Sequence, residues 1–113
     1  MKVAFKNQAK EKANSNSCSV IEYPLNDPML DIAIAAISGR YPENGRAVNQ
    51  ECQELAYVKA GEGKIVINGE EIPLTVGDSI IIDAGEPYYW EGSLELILSC
   101  RPAWTAAQHQ QVD

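Results

Sequence analysis

At 113 residues, 45% of them hydrophobic, the chain has the length and apolar content for one domain around one core. Nine Lys and Arg against 16 Asp and Glu give a formal net charge of -7. That balance repels phosphate backbones and anionic lipid surfaces, and excludes nucleic acid and membrane as partners. There is no apolar run of ~18 residues, and MKVAFKNQAKEKANSNS at the start lacks the apolar core of a signal peptide, so a cytoplasmic protein is expected.

In chain order, residues 1–17 read as a polar lead-in, made basic by Lys2, Lys6, Lys10 and Lys12 against Glu11, and residues 18–113 as the folded domain. SCSVIEYPL and MLDIAIAAIS have the β-branched content and alternation of strands, separated by Pro24 and the cluster Asn26, Asp27, Pro28. In the second, Leu30, Ile32 and Ile34 share one face and Ala33, Ala35 and Ile37 the other. A strand apolar on both faces is covered on both sides, which predicts a homodimer. GRYPENGRAVNQ then reads as a long polar connection, a candidate rim or lid for a site.

Beyond it the pattern becomes regular: QELAYVKA, a GEG turn, KIVI, Asn68-Gly69, EIPLTV, Gly77-Asp78, SIIID, AGEP, YYWE and SLELILSC. Asn-Gly between two strand-like runs signals a two-residue hairpin, because both turn residues favour positive φ. Six or more short strands with frequent turns predict an all-β antiparallel sandwich or barrel. The tail RPAWTAAQHQQVD adds a short C-terminal helix capped at Thr105, with Pro102 and Trp104 packed on the barrel wall.

Several chemistries lack support. Cys18, Cys52 and Cys100 are odd in number and have no Cys-x-x-Cys spacing, against both a disulfide framework and a zinc ribbon. Cys52 lies among acidic residues, which would raise its pKa and blunt it as a nucleophile. GEG has neither a following helix nor the lysine of a phosphate loop. The serines have no histidine base in pattern.

Residues 54–92 resemble the cupin superfamily of small jelly-roll β-barrels. Glu54, Leu55, Tyr57, Val58, Gly61, Glu62 and Gly63 are similar to the second half of its first motif. Gly77, Asp78, Ile80 to Ile82, Ala84, Gly85 and Pro87 are similar to its second. The resemblance implies a metal held by two histidines before the glutamate and one after the second motif's turn. Here AVNQECQ precedes Glu54, Asn49 stands about where the second histidine would, and Tyr88 follows Pro87. The only histidine, His109, lies in the tail and reads as an exposed helical residue. No metal and no cofactor are therefore expected: the barrel keeps its pocket without the ligands.

Alternation puts Cys52, Glu54, Ala56 and Val58 on one face of their strand and Gln53, Leu55 and Tyr57 on the other. The resemblance turns Glu54 inward, which brings Cys52 beside it and leaves open volume at Ala56. A carboxylate in an apolar barrel has its pKa raised by desolvation. The resemblance also puts Tyr88 in the vacated histidine position, with Trp90 on the same face. The expected ligand-binding set is Asn49, Cys52, Glu54, Tyr57, Tyr88 and Trp90, with the GRYPENG loop shaping the mouth. Three readings stand: a metal-independent binder of a small organic molecule, an isomerase or lyase using Glu54 and Tyr88 as acid and base, and a structural or protein-interaction homodimer whose rings only fill the barrel.

Overall fold

The computed structural model describes residues 1–113 and contains nine strands: β1 (Lys10–Ser15), β2 (Cys18–Glu22), β3 (Ala33–Tyr41), β4 (Arg46–Asn49), β5 (Gln53–Ile67), β6 (Glu70–Thr75), β7 (Ser79–Ile82), β8 (Tyr88–Arg101) and β9 (His109–Val112). All pair antiparallel in one curled sheet. β8 is its spine, with β3 along one edge and β5 along the other from Gln53↔Arg101 to Ile67↔Tyr88. β2 and β1 extend the sheet beyond β3, β6 and β7 share the free edge of β5, and β4 joins β8 at Ala47↔Tyr88 and carries β9. No helix is long and apolar enough to cross a membrane.

Local signals account for much of this. Asn68 (φ 53) and Gly69 (φ 76) take the positive φ that Asn-Gly turns favour, between β5 and β6. At the next turn Asp78 Oδ2 accepts the Thr75 N–H at 2.8 Å, closing the link from β6 to β7. The β5 alternation is as expected: Glu54, Ala56 and Val58 are buried, whereas Leu55 and Tyr57 are exposed. The inward residues Val20, Ala35, Ile37, Ile65, Ile82 and Leu96 form the core.

Several elements differ from the sequence reading. GEG is no turn: residues 61–63 continue β5 through a bulge at Val58/Ala60 and pair with Leu94, Ser93 and Gly92. YYWE and SLELILSC likewise fuse into β8, where Gly92 (φ 134) lets the paired backbones of β8 and β5 approach closely at Gly63. The polar connection shrinks to a short turn after Tyr41, since its ends belong to β3 and β4; the polar lead-in includes β1, paired with β2. Leu30 and Ile32 precede β3 and stay 56% and 38% exposed, so only Ala35 and Ile37 of that stretch enter the core.

The short C-terminal helix is absent. Ala106–Gln108 form a single 3-10 turn, and Thr105 makes no side-chain cap. The tail's polar groups have better partners elsewhere. Gln108 Oε1 accepts the N–H groups of Glu51 and Cys52, each at 2.8 Å, and its backbone carbonyl accepts that of Gln50. Residues 109–112 then pair with β4 from Asn49↔His109 to Arg46↔Val112. These long-range bonds satisfy backbone groups that a short helix would leave open at its ends.

Candidate functional site

The curl of the sheet leaves a cavity inside the barrel. Its floor and one wall are apolar, built from the inward positions of β2, β3 and β8: Val20, Ala33, Ala35, Leu96 and Leu98. Glu54, Tyr88, Trp90 and Cys100 supply the deeper polar and aromatic surface, and Lys12, Glu22, Asp31, Tyr41, Trp104 and His109 are among the other residues that line it. Small residues at 33 and 35 keep this space open where larger ones would fill it.

Glu54 is 6% exposed. Its pKa is pushed up to about 7, first by loss of water and further by the negative charge of Asp31, against the thiol of Cys100 and the amide of Asn49, which favour the anion. Cys100 Sγ donates to Glu54 Oε1 at 3.6 Å. Near neutral pH this carboxyl therefore exists in both protonation states. Tyr88 is buried, and both desolvation and the charge of Glu54 raise its pKa, so it stays a protonated donor. The thiols are quiet: burial raises Cys18 to about 11, and raises Cys52 and Cys100 as well.

Of the expected set, Glu54, Tyr88 and Trp90 meet in the cavity. Cys52 is buried behind this group, with its backbone N–H held by Gln108. Asn49 is also buried beneath the surface: its Oδ1 accepts from Trp104 Nε1 at 3.1 Å and lies 2.7 Å from His109 Nδ1, while its Nδ2 has no partner. Tyr57 does not join them. It lies 43% exposed on the outer face of β5, opposite Glu54, as period-two alternation requires. The turn after β3 contributes only Tyr41, at its root, to the cavity.

His109 is the principal correction. It is a half-buried strand residue lining the cavity, tilted 57° against the Trp104 ring with centroids 5.5 Å apart. Tyr41 Oη lies 3.1 Å from its Nε2. Asp31, also missed, accepts the N–H groups of Cys100 at 2.7 Å and Trp104 at 2.9 Å, which fixes the segment after β8 over the barrel end. Lys12 sits 4.8 Å from the Trp104 ring centroid and 3.4 Å from Glu22, so β1 forms part of the mouth. Alternation within AWTAAQHQQV is too weak to mark a strand, and nothing local links it to β4 some 60 residues earlier.

The donor set does not fit the transition metal that the cupin resemblance implies. No three His, Cys, Asp or Glu side chains converge on one point. The Asn49 oxygen is already shared by two partners, His109 is held between Asn49 and Tyr41, and the Glu54 carboxyl is partly protonated.

Known proteins agree with the fold. Residues 41–98 match the family described as Cupin domain. No curated protein matches the chain. Among solved structures, Streptomyces Pac13, described as a unique nucleoside dehydratase, superposes with a TM-score of 0.87 at 19% identity, covering 99% of this chain and 91% of its own. A Pac13 variant with uridine gives a TM-score of 0.88 at 19% identity, over 99% of this chain and 90% of that one. An RmlC-like cupin from Shewanella frigidimarina gives 0.73 at 18% identity, over 88% and 89%. KdgF from Halomonas sp. gives 0.71 at 14% identity, over 89% and 94%. At these identities the likeness is one of fold; with its matched segment spanning just over half of its residues, the chain belongs to the cupin superfamily.

Proposed function

We propose that the barrel binds a small hydroxylated organic molecule without a metal, with Glu54 and Tyr88 as its deep polar contacts. The observation that carries this reading is a buried carboxyl, its pKa raised to about 7, lining a mostly apolar cavity beside a buried phenol. Apolar walls with a few convergent polar groups are the usual make-up of a small-molecule site. The test is a thermal-shift and calorimetric screen of nucleosides, sugars and small hydroxy acids. A bound ligand at ~100 times its Kd adds roughly 2.7 kcal/mol to stability. Glu54→Gln and Tyr88→Phe should weaken any such binding, and a screen in which no compound raises the midpoint would count against the reading.

The same carboxyl supports a second reading, a lyase that eliminates water. A group titrating near neutrality can donate a proton to a leaving hydroxyl and recover it in each cycle. The likeness to a nucleoside dehydratase places nucleosides first among compounds to test for loss of water by mass spectrometry. Two titrating groups should give a bell-shaped dependence of rate on pH.

The outer sheet face favours a homodimer. Ile21, Ile34, Ile97 and Tyr57 are cross-strand neighbours on β2, β3, β8 and β5, and Leu55 pairs with Ile81 beside them. Leu55, Tyr57 and Ile81 are 46%, 43% and 56% exposed. A contiguous apolar patch of this kind suits a second copy of the same sheet. Light scattering should give twice the 12.4 kDa chain mass, reverting to one chain on Leu55→Lys with Ile81→Lys; a monomer at micromolar concentration would refute it.

A further inference from the structure

The cavity wall carries a series of hydrogen bonds that the Glu54 and Tyr88 reading leaves unused. Trp104 Nε1 can only donate, so the oxygen of the Asn49 amide must face it, at 3.1 Å. That same oxygen lies 2.7 Å from His109 Nδ1, which must therefore hold the ring proton. In the neutral ring Nε2 is then bare, and at 3.1 Å it accepts the hydroxyl proton of Tyr41. The indole sets the amide, the amide sets the tautomer, and the tautomer turns the Tyr41 hydroxyl toward His109, leaving its oxygen lone pairs for the cavity.

We propose that Tyr41 is the base that meets a molecule bound in this cavity and that His109, behind it, takes up the proton. The proposal rests on the lyase reading above. An acidified C–H of the bound molecule gives its proton to Tyr41 Oη as the hydroxyl proton of Tyr41 moves to His109 Nε2. The electron pair of that C–H becomes a double bond, the neighbouring C–O bond breaks, and protonated Glu54 delivers its proton to the departing hydroxyl, which leaves as water. The protein then holds an imidazolium and a carboxylate, and return of the proton from His109 through Tyr41 and water to Glu54 restores the start.

The surroundings favour this division of labour. His109 is faced by Lys12 from β1, Tyr41 from β3, Asn49 from β4 and Trp104 after β8, with Glu22, Glu54 and Asp31 lining the same cavity. Burial, then the Lys12 ammonium, lowers its pKa, so the ring waits in the neutral, accepting form. Burial raises Tyr41 to about 12, with Cys18 and Glu54 adding to the rise, so the phenol does not ionise unaided and needs an acceptor behind it.

His109 is the only histidine, so long-range 1H–15N NMR of the intact protein reports one imidazole. A neutral ring protonated at Nδ1 at pH 7 is expected; protonation at Nε2, or an imidazolium, overturns the relay whatever the fate of the lyase reading. The functional arm follows exchange of the C2 hydrogen of glyceraldehyde in D2O and its loss of water, glyceraldehyde being a minimal probe with an acidified C–H and a neighbouring hydroxyl. Wild-type protein should accelerate both. Tyr41→Phe and His109→Gln should each slow exchange about 100-fold. Glu54→Gln should abolish water loss, and should lower exchange only as far as it weakens binding of the probe. Exchange unchanged in Tyr41→Phe overturns the inference and leaves the lyase reading standing, whereas no exchange by wild type removes both.

Discussion

Replacing Glu54 by Gln should stabilise the protein at alkaline pH while leaving it nearly unchanged in acid. The folded chain raises this carboxyl from its ordinary 4.5 to about 7. Below 4.5 the group is protonated whether the chain is folded or not, and burying it carries no ionisation penalty. Between 4.5 and about 7 the unfolded chain releases the proton while the folded chain keeps it, so stability falls as pH rises. Above that range the folded chain holds a buried anion. At ~1.4 kcal/mol per tenfold in proton affinity, the loss is roughly 3 kcal/mol. With Glu54 6% exposed, solvent screening offers little relief. Gln has nearly the same shape and keeps an acceptor for the Cys100 thiol. Urea denaturation of both proteins at pH 5 and pH 8.5 measures the difference directly, since the other carboxyl groups cancel between them. The variant should match wild type within ~1 kcal/mol at pH 5 and exceed it by roughly 3 kcal/mol at pH 8.5. A variant equally destabilised at both pH values would show that Glu54 is held as a stabilising anion, and the argument for a near-neutral proton carrier would fail.

Cys18, Cys52 and Cys100 should react with a thiol reagent at pH 8 only slowly in the folded protein and fully in urea, because all three are buried with raised pKa; rapid folded-state labelling of any one would contradict this. Gly92→Ala should cost roughly 3 kcal/mol or more in urea stability, because a Cβ there stands 2.6 Å from Gly63 Cα on a backbone with φ of 134°. A cost under ~1 kcal/mol would mean that β5 and β8 can separate where Gly63 faces Gly92. Elemental analysis after purification without chelator, and again after reconstitution, should find no stoichiometric Fe, Mn, Ni, Cu or Zn; one metal per chain would refute the claim that these donors make no site.

Most of the barrel was legible because strands and tight turns are short-range features. Asn68-Gly69 and the Gly77-Asp78 turn mark their own places, and period-two alternation was enough to put Glu54 and Leu55 on opposite faces, the family resemblance implying that the Glu54 face is the inward one. The family resemblance added Tyr88 near Glu54. Where glycine sits inside a strand the same local logic misled: Gly61, Gly63 and Gly92 serve the close pairing of β5 with β8, which looks identical in sequence to a turn.

The sequence by itself determined an all-β chain, its hairpins and the two faces of the strand that carries Glu54, because each follows from residues a few positions apart, and the motif resemblance added the cupin family and the face that turns inward. Only the tertiary structure decided that the tail is a strand on β4. It alone brought Lys12 from β1, Tyr41 from β3 and His109 from β9 to the wall of one cavity. The placement of His109 against Tyr41 and β4 depends on hydrogen bonds between segments some 56 to 68 residues apart, such as Tyr41 to His109 and Gln108 to Cys52. Such bonds form only once the chain has paid the entropy of closing its long loops, and no local pattern announces them.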